Sequence, residues 1–161
     1  MSAGTGIMMA SMSTYAILGC GSVGHAVAEA LVEEGKDVLW LCYNEDLADD
    51  VRKRFPESNF TIRHFHSFAI QYLQSTNLEI PFPNVVHDDP DDEDWEEFFS
   101  EIVPGLLADA VKQNTRRYDA IIIDEAQDFQ DNWYMALTEL FPDDGEHWFY
   151  VFYDPHQSIY G

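Results

Sequence analysis

The chain has 161 residues and carries 30 Asp and Glu against 8 Lys and Arg, which gives a formal net charge of −22. This length allows one domain with its own core and excludes two large domains. The charge argues against a general affinity for DNA or RNA, and because no apolar run reaches the ~18 residues that cross a bilayer and no basic flank marks a signal peptide, we expect a cytoplasmic protein without membrane contact.

Strand-like and helix-like segments alternate after an N-terminal tail, residues 1–14. The predicted strands are Tyr15–Leu18, Val38–Cys42, Phe60–His64, Tyr118–Ile123 and Trp148–Tyr153. The predicted helices are Val23–Glu34, Glu45–Phe55, Ser67–Gln74, Trp95–Lys112 with an interruption at Pro104, and Asn132–Leu140. An acidic, proline-containing stretch, residues 77–94, is predicted to be a loop or insertion. This alternation predicts a single α/β domain over residues 15–161, with a mostly parallel open sheet and helices on both faces.

Two acidic residues, Asp124 and Glu125, follow the most strand-like segment of the chain directly. In open parallel sheets, ligands bind beyond the carboxyl ends of the strands. One carboxylate at such a position can hold Mg²⁺ through its waters, and its neighbour can deprotonate a water that attacks a phosphate. The alternative is that these acids only cap the next helix.

Four segments occur in the order found in one helicase family. Asp124-Glu125-Ala126-Gln127-Asp128 resembles the Walker B motif of superfamily 1 DNA helicases of the UvrD/Rep type, and Tyr153–Gly161 resembles their motif III. Leu41–Asn44 and His64–Phe68 resemble motifs Ia and Ib. Residues 38–161 are therefore similar to the first RecA-like domain of such a helicase, a P-loop NTPase fold.

The resemblance implies a role for each matching residue. Asp124 would hold Mg²⁺ through water, Glu125 would be the general base, and Gln157 would sense the γ-phosphate of ATP. Asn44 and His66 would contact single-stranded DNA, weakly because of the charge. The second RecA-like domain of the family is missing from the sequence, so it or another protein is an expected partner.

The glycine-rich segments near the N-terminus do not complete a Walker A loop, which needs a Lys and a Ser or Thr after its glycines. Gly4 and Gly6 resemble the first part of that loop, but Ile7 and Met8 stand in the places of Lys and Thr. We therefore expect weak binding of ATP with Mg²⁺ and little or no hydrolysis.

A second glycine segment, Gly19-Cys20-Gly21-Ser22-Val23-Gly24, follows a predicted strand and opens a helix. His25 and Ala26 occupy the Walker A positions of Lys and Ser/Thr, whereas the glycines match the Gly-x-Gly-x-x-Gly pattern of dinucleotide sites. Residues 15–38 resemble the start of NAD-binding domains of the TrkA type, although Cys42 stands where the acidic ribose ligand is expected. The candidate nucleotide contacts are Gly19, Gly21, Ser22, Gly24, Gly4 and Gly6.

These observations favour a truncated, helicase-like ATP-binding domain that does not unwind nucleic acid alone. The alternatives are a Rossmann-type NAD-binding regulatory module and a remnant that binds a partner without a ligand. The two resemblances meet near Gly35, so the chain is interpreted as a hybrid. Its acidity and its three lysines also fit a halophilic source.

Overall fold

Five parallel strands form one sheet in the order β1-β5-β4-β2-β3. A computed structural model describes residues 11–18, 21–57, 60–83 and 93–153. The strands are β1 (Ser11–Leu18), β2 (Val38–Cys42), β3 (Thr61–His64), β4 (Ala120–Ile123) and β5 (Glu146–Tyr153). The helices are α1 (Gly21–Glu33), α2 (Glu45–Arg54), α3 (Phe65–Gln74), α4 (Glu93–Glu97), α5 (Val103–Val111) and α6 (Asp131–Thr138). The predicted fold class is confirmed.

The sheet order separates the first two strands of the chain. β1 pairs with β5 over eight residues, and β5 and β4 lie between β1 and β2. In dinucleotide-binding folds the first two strands are neighbours. The strand–helix–strand unit at the N-terminus therefore has a different connection from the one that the glycine pattern predicts for an NAD site.

Both faces of the central strands are covered. Every residue of β2 and of β4 is buried, as expected for strands between two helical layers. Alternate side chains serve the two faces: Leu39 and Ile121 join the core beneath α3, α5 and α6, while Trp40 and Ile122 join the core beneath α1 and α2. The carboxyl end of β4 is therefore held between two packed layers.

A π-helical turn, Phe98–Ile102, interrupts the predicted helix Trp95–Lys112 just before Pro104. Proline has no N–H, so it cannot donate to the carbonyl of Ser100. The side chain of Asn132 in α6 donates to that carbonyl instead, and the indole of Trp133 donates to the carbonyl of Phe99 at 3.0 Å. The irregular turn is therefore satisfied by side chains of the helix packed against it.

The remaining boundaries differ modestly from those predicted. β1 begins four residues earlier than Tyr15, inside the predicted tail, because those residues pair with β5 from Glu146 onward. Of the predicted acidic loop, residues 77–83 have no regular structure, residues 84–92 lie outside the described ranges, and Glu93 begins α4. No helix in the described part of the chain is long and apolar enough to cross a bilayer.

Candidate functional site at the end of β4

The candidate site lies where the parallel strands end. Because all five strands run in the same direction, their carboxyl ends meet at one edge of the sheet, and Asp124 follows β4 directly at that edge. The N–H of Asp124 donates to the carbonyl of Leu41 at 2.9 Å, which continues the β4–β2 pairing by one residue. The sheet itself therefore fixes the position of this carboxylate.

Asp124 is an unusual carboxylate because only 6% of it is exposed. Burial, and then the nearby charge of Glu125, raise its pKa to about 6. A hydrogen bond from the N–H of Glu125 to Oδ1 at 3.1 Å and the more distant charge of Arg54 partly oppose that rise. A divalent cation would favour the ionised form, so the donor chemistry fits Mg²⁺.

Glu125 has a left-handed backbone conformation, with φ of 52° and ψ of 50°. It is the one non-glycine residue with positive φ in the described part of the chain. Such a conformation costs about 1 to 2 kcal/mol, and functional sites are where proteins most often retain it. The strain turns the chain sharply at the end of β4, directly after Asp124.

Two residues that the sequence interpretation did not select hold this turn. The amide Nε2 of Gln127 donates to the Glu125 carboxylate at 2.5 Å, and the hydroxyl of Tyr134 donates to the carbonyl of Ala126 at 2.8 Å. Gln127 lies inside the Walker B-like segment, so its position in that motif was the available signal. Tyr134 lies one turn into α6, and no local sequence pattern indicates its contact.

The start of α1 is built around close packing. Gly21 and Ser22 are the first residues of α1, and Gly24 follows in its first turn. A Cβ atom on Gly24 would lie 2.9 Å from Cη2 of Trp40 and 3.4 Å from a ring carbon of Phe152. Gly24 therefore allows α1 to approach the sheet closely, which is the role of the third glycine in the dinucleotide pattern.

His25, which stands at the Walker A lysine position, is held by aromatic packing. Its ring stacks on Phe55 with centroids 3.5 Å apart, and Nε2 lies 3.4 Å from a carboxylate oxygen of Glu29. Its side chain is 17% exposed. The ring thus joins α1 to the end of α2, an arrangement that does not leave it extended like a phosphate-binding lysine.

Four of the candidate residues, Gly4, Gly6, Gly19 and Gln157, lie outside the described residues. Cys20 also lies outside them, whereas Cys42 is buried as a free thiol, and burial strongly raises its pKa.

Asn44 is exposed at the same edge and caps α2. Its Oδ1 accepts a hydrogen bond from the N–H of Leu47 at 2.9 Å. The neighbouring His64 caps α3 by accepting from the N–H of Ser67 at 3.3 Å, and its other ring nitrogen contacts the Glu45 carboxylate. Both side chains therefore have structural partners, and among the described residues Nδ2 of Asn44 has no hydrogen bond.

His66 lies inside an aromatic cluster. Its ring stacks on Phe99 at 3.8 Å and meets Trp133 edge-on at 5.2 Å, and Nε2 is buried with no hydrogen-bond partner in the described part of the chain. Burial, with a smaller contribution from His64, lowers its pKa to about 4. The ring is therefore neutral at physiological pH. No group of three potential metal ligands occurs among the described residues.

An open groove of about 550 Å³ lies between α2 and β3. Its lining residues are Glu45, Arg52, Phe55, Pro56, Phe60, Thr61, Ile62 and Arg63. None of these residues belongs to the turn at Asp124 and Glu125, so the groove is separate from the candidate site.

Comparisons with known proteins agree with the site in part. Residues 94–161 match the family model of the UvrD/REP helicase N-terminal domain. This match covers less than half of the chain, includes both the Walker B-like and the motif III-like segments, and supports a UvrD-like helicase N-terminal region there. The motif Ia-like and Ib-like segments lie before it.

A phenylalanine dehydrogenase from Bacillus thermotolerans is 33% identical over 79 residues, which are 48% of this chain and 20% of that protein. The chain therefore spans about a fifth of the length of this curated relative. No solved structure matches the chain.

Proposed function

We propose that the chain is a superfamily 1 helicase-like nucleotide-binding domain that binds ATP with Mg²⁺ weakly and hydrolyses it slowly or not at all. The observation that carries the proposal is the Asp124–Glu125 turn, where a buried carboxylate with a raised pKa is followed by a strained second carboxylate. The family match over residues 94–161 supports the nucleotide class.

In this proposal each acid at the end of β4 has a separate task. Asp124 is fixed by the sheet and would hold Mg²⁺ through a water, and Mg²⁺ would neutralise phosphate charge when bound. Glu125 is held by Gln127 and would accept a proton from a water. Gln157 would report the γ-phosphate, by resemblance alone.

Weak binding is expected because the phosphate-binding cation is missing. Neither glycine segment contains a lysine, and His25 is engaged by Phe55 and Glu29. We expect a dissociation constant for ATP with Mg²⁺ in the high micromolar range or weaker, about −5 kcal/mol or less favourable.

Thermal shift in the presence of ligand tests this proposal directly. A ligand that binds the folded state raises the melting temperature by mass action, so millimolar ATP with Mg²⁺ should give a small rise and NAD should give none. The rise should require Mg²⁺ and should disappear in Asp124→Asn. Asp143→Asn, which removes an exposed carboxylate, is the matched control and should keep the rise.

The outcomes separate the alternatives. Submicromolar ATP affinity would mean that another cation replaces the lysine, and His25→Ala would then be the variant to compare. A rise with NAD alone would favour the dinucleotide module, and no rise with either would contradict nucleotide binding.

NAD binding is the second candidate because two observations favour it. The similar Bacillus thermotolerans protein is named a dehydrogenase, and the glycine pattern at α1 fits a dinucleotide turn. The strand order opposes it, since β1 and β2 are not neighbours. The helicase-like proposal is preferred because it accounts for the buried carboxylate of Asp124 and for the strained backbone of Glu125.

Single-stranded DNA is the proposed second ligand, which Asn44 and His66 would contact by resemblance to motifs Ia and Ib. A charge of −22 repels phosphate, and this repulsion extends over ~30 Å at 0.01 M salt but only ~3 Å at 1 M. We expect fluorescence anisotropy to show no binding at low salt and weak binding, if any, above about 1 M. Tight binding at low salt that declines as salt is added would instead indicate a local basic groove.

A further inference from the structure

The two edges of the sheet differ in their protection against another strand. β3 is the short edge, with four residues, and Nε of Arg52 donates to its carbonyl at Ile62 at 3.1 Å. The strand also contains a charged residue, Arg63. Short length, a capped backbone and charge are the features that natural proteins use to block edge-to-edge pairing.

β1 is the long edge and has none of these features in its sequence. It contains eight residues, Ser11 to Leu18, without a charged residue, a proline or a glycine. Within the described ranges it is hydrogen-bonded to a strand on one side, β5. No other strand of the described ranges pairs with its outer side, so as far as these ranges show, that side offers backbone N–H and carbonyl groups to a further strand.

β1 also lies in the part of the sequence that carries no charged residues. Residues 1–28 contain no Asp, Glu, Lys or Arg, and all 30 acidic residues occur from Glu29 onward. A second acidic copy of the chain is repelled by most of this sequence, and the repulsion is weakest where the charges are absent. The uncharged segment includes the whole unprotected edge.

We propose that the outer edge of β1 pairs with β1 of a second copy, antiparallel about a twofold axis, so that two five-stranded sheets form one continuous sheet. A twofold axis brings identical strands together in antiparallel orientation, so one sequence supplies both sides of the seam. The sequence of β1 contains no charged residue that would attract a different acidic or basic partner. A second copy is thus the occupant that this surface fits best.

The protected β3 edge limits the assembly to two chains. Pairing of β1 with β3 of the next copy would continue without closing and would form fibres. The Arg52 contact and Arg63 oppose that arrangement, whereas the β1–β1 seam uses up both long edges. The dimer should form at high salt, because screening removes the repulsion between two bodies of −22 each.

Sedimentation equilibrium combined with hydrogen exchange of the unmodified protein tests the proposal, which does not depend on nucleotide binding. We expect a mass near 18.5 kDa in 0.05 M KCl and near twice that value in 2 M KCl. Dilution at constant salt gives the monomer for comparison. In the dimer, the amides of residues 11–18 should exchange at least about tenfold more slowly than in this monomer.

Matched variants at the two edges provide the second measurement. Thr14→Lys places like charges near each other across the seam and should abolish the dimer, whereas Thr61→Lys at β3 should leave it intact. Circular dichroism and the melting temperature show whether each variant folds. If Thr14→Lys does not fold, the exchange experiment on the unmodified protein still decides.

Three outcomes would overturn the proposal. The first is a protein that stays monomeric at every salt concentration. Slow hydrogen exchange of the β1 amides in that monomer would indicate that the chain covers its own edge. The second is a dimer in which β1 gains no protection. The third is a folded Thr14→Lys protein that remains dimeric.

Discussion

The end of β4 and the start of α1 lie at the same edge of the sheet but are built for different purposes. At the end of β4, Asp124 is buried with a raised pKa and Glu125 has a strained backbone, and neither feature favours stability. At the start of α1, Gly24 permits close packing against Trp40 and His25 stacks on Phe55, and both features favour stability.

Under the proposed function, this difference indicates which half of a nucleotide site the chain would retain. Strain and buried charge are retained where other requirements outweigh stability, which fits the proposed catalytic acids. The α1 half resembles ordinary core packing and offers no cation for phosphate. Substitutions at three positions, Asp124, Gly24 and Glu125, can test whether the two regions are as different as their contacts indicate.

The largest effect is expected for Asp124→Asn. The pKa of Asp124 is about 6 in the folded protein against 3.8 for an ordinary Asp, so at pH 7.5 the ionised carboxylate lowers the free energy of unfolding by about 3 kcal/mol. Asparagine removes this cost, and chemical denaturation at pH 7.5 should show stabilisation of that order.

The pH dependence gives the sign of the effect. Because the folded pKa is the higher one, the folded protein takes up the proton first as pH falls through about 6. The advantage of Asp124→Asn should therefore shrink below pH 6 and vanish below about pH 4. Asp143→Asn should show no comparable gain, and a destabilised Asp124→Asn protein at pH 7.5 would mean that the buried charge has a compensating partner.

A smaller effect of opposite sign is expected for Gly24→Ala. The added methyl group would lie 2.9 Å from Trp40, and such overpacking costs about 1 to 3 kcal/mol, while the better helix propensity of Ala returns at most about 1 kcal/mol. A net loss of about 1 to 2 kcal/mol should appear in denaturant unfolding.

Gly105→Ala in α5 is the control for this prediction, since nothing lies within 4 Å of a Cβ there. It should stabilise by up to about 1 kcal/mol. Gly24→Ala should cost less stability in a Trp40→Phe background than in the unmodified protein, because the smaller ring leaves room for the methyl group. Equal stability of the Gly24 and Gly105 variants would contradict close packing at α1.

The smallest effect concerns the backbone of Glu125. Glu125→Gly and Glu125→Ala both remove the carboxylate, and they differ in the Cβ atom that the left-handed conformation disfavours. The Gly variant should be more stable than the Ala variant by about 1 kcal/mol in thermal unfolding. At Glu29, an exposed position in α1, Ala should be the more stable of the two. The same order at both positions would argue that the turn relaxes without strain.

The sequence predicted well the features that depend on local pattern. β2 was predicted at its exact bounds, and the position of Asp124 after β4 followed from the apolar run Ile121–Ile123. Buried parallel strands appear as continuous apolar runs, so their ends are visible without knowledge of the neighbours. This part of the site could therefore be predicted in advance.

Features that depend on distant partners could not be predicted in this way. Residues 11–13, Ser-Met-Ser, lack the apolar run that marks a strand, and they form one because they pair with β5. The contact of Gly24 with Trp40, the contact of Tyr134 with Ala126, and the aromatic surroundings of His66 join segments far apart in the chain or carry no local pattern. Strand order, which separates β1 from β2, is likewise a property of the whole sheet.

The proline before α5 has a mechanical consequence for the acids at the end of β4. Because Pro104 leaves the carbonyl of Ser100 without its helical donor, Asn132 of α6 bonds to it, and α6 is also tied through Tyr134 to Ala126 beside Glu125. The acidic turn, α6 and the π-helical turn are thus linked by hydrogen bonds. When one of them moves, the others move with it or the hydrogen bonds between them break. A ligand that displaces Glu125 would therefore also displace α6, which packs on a face of the sheet.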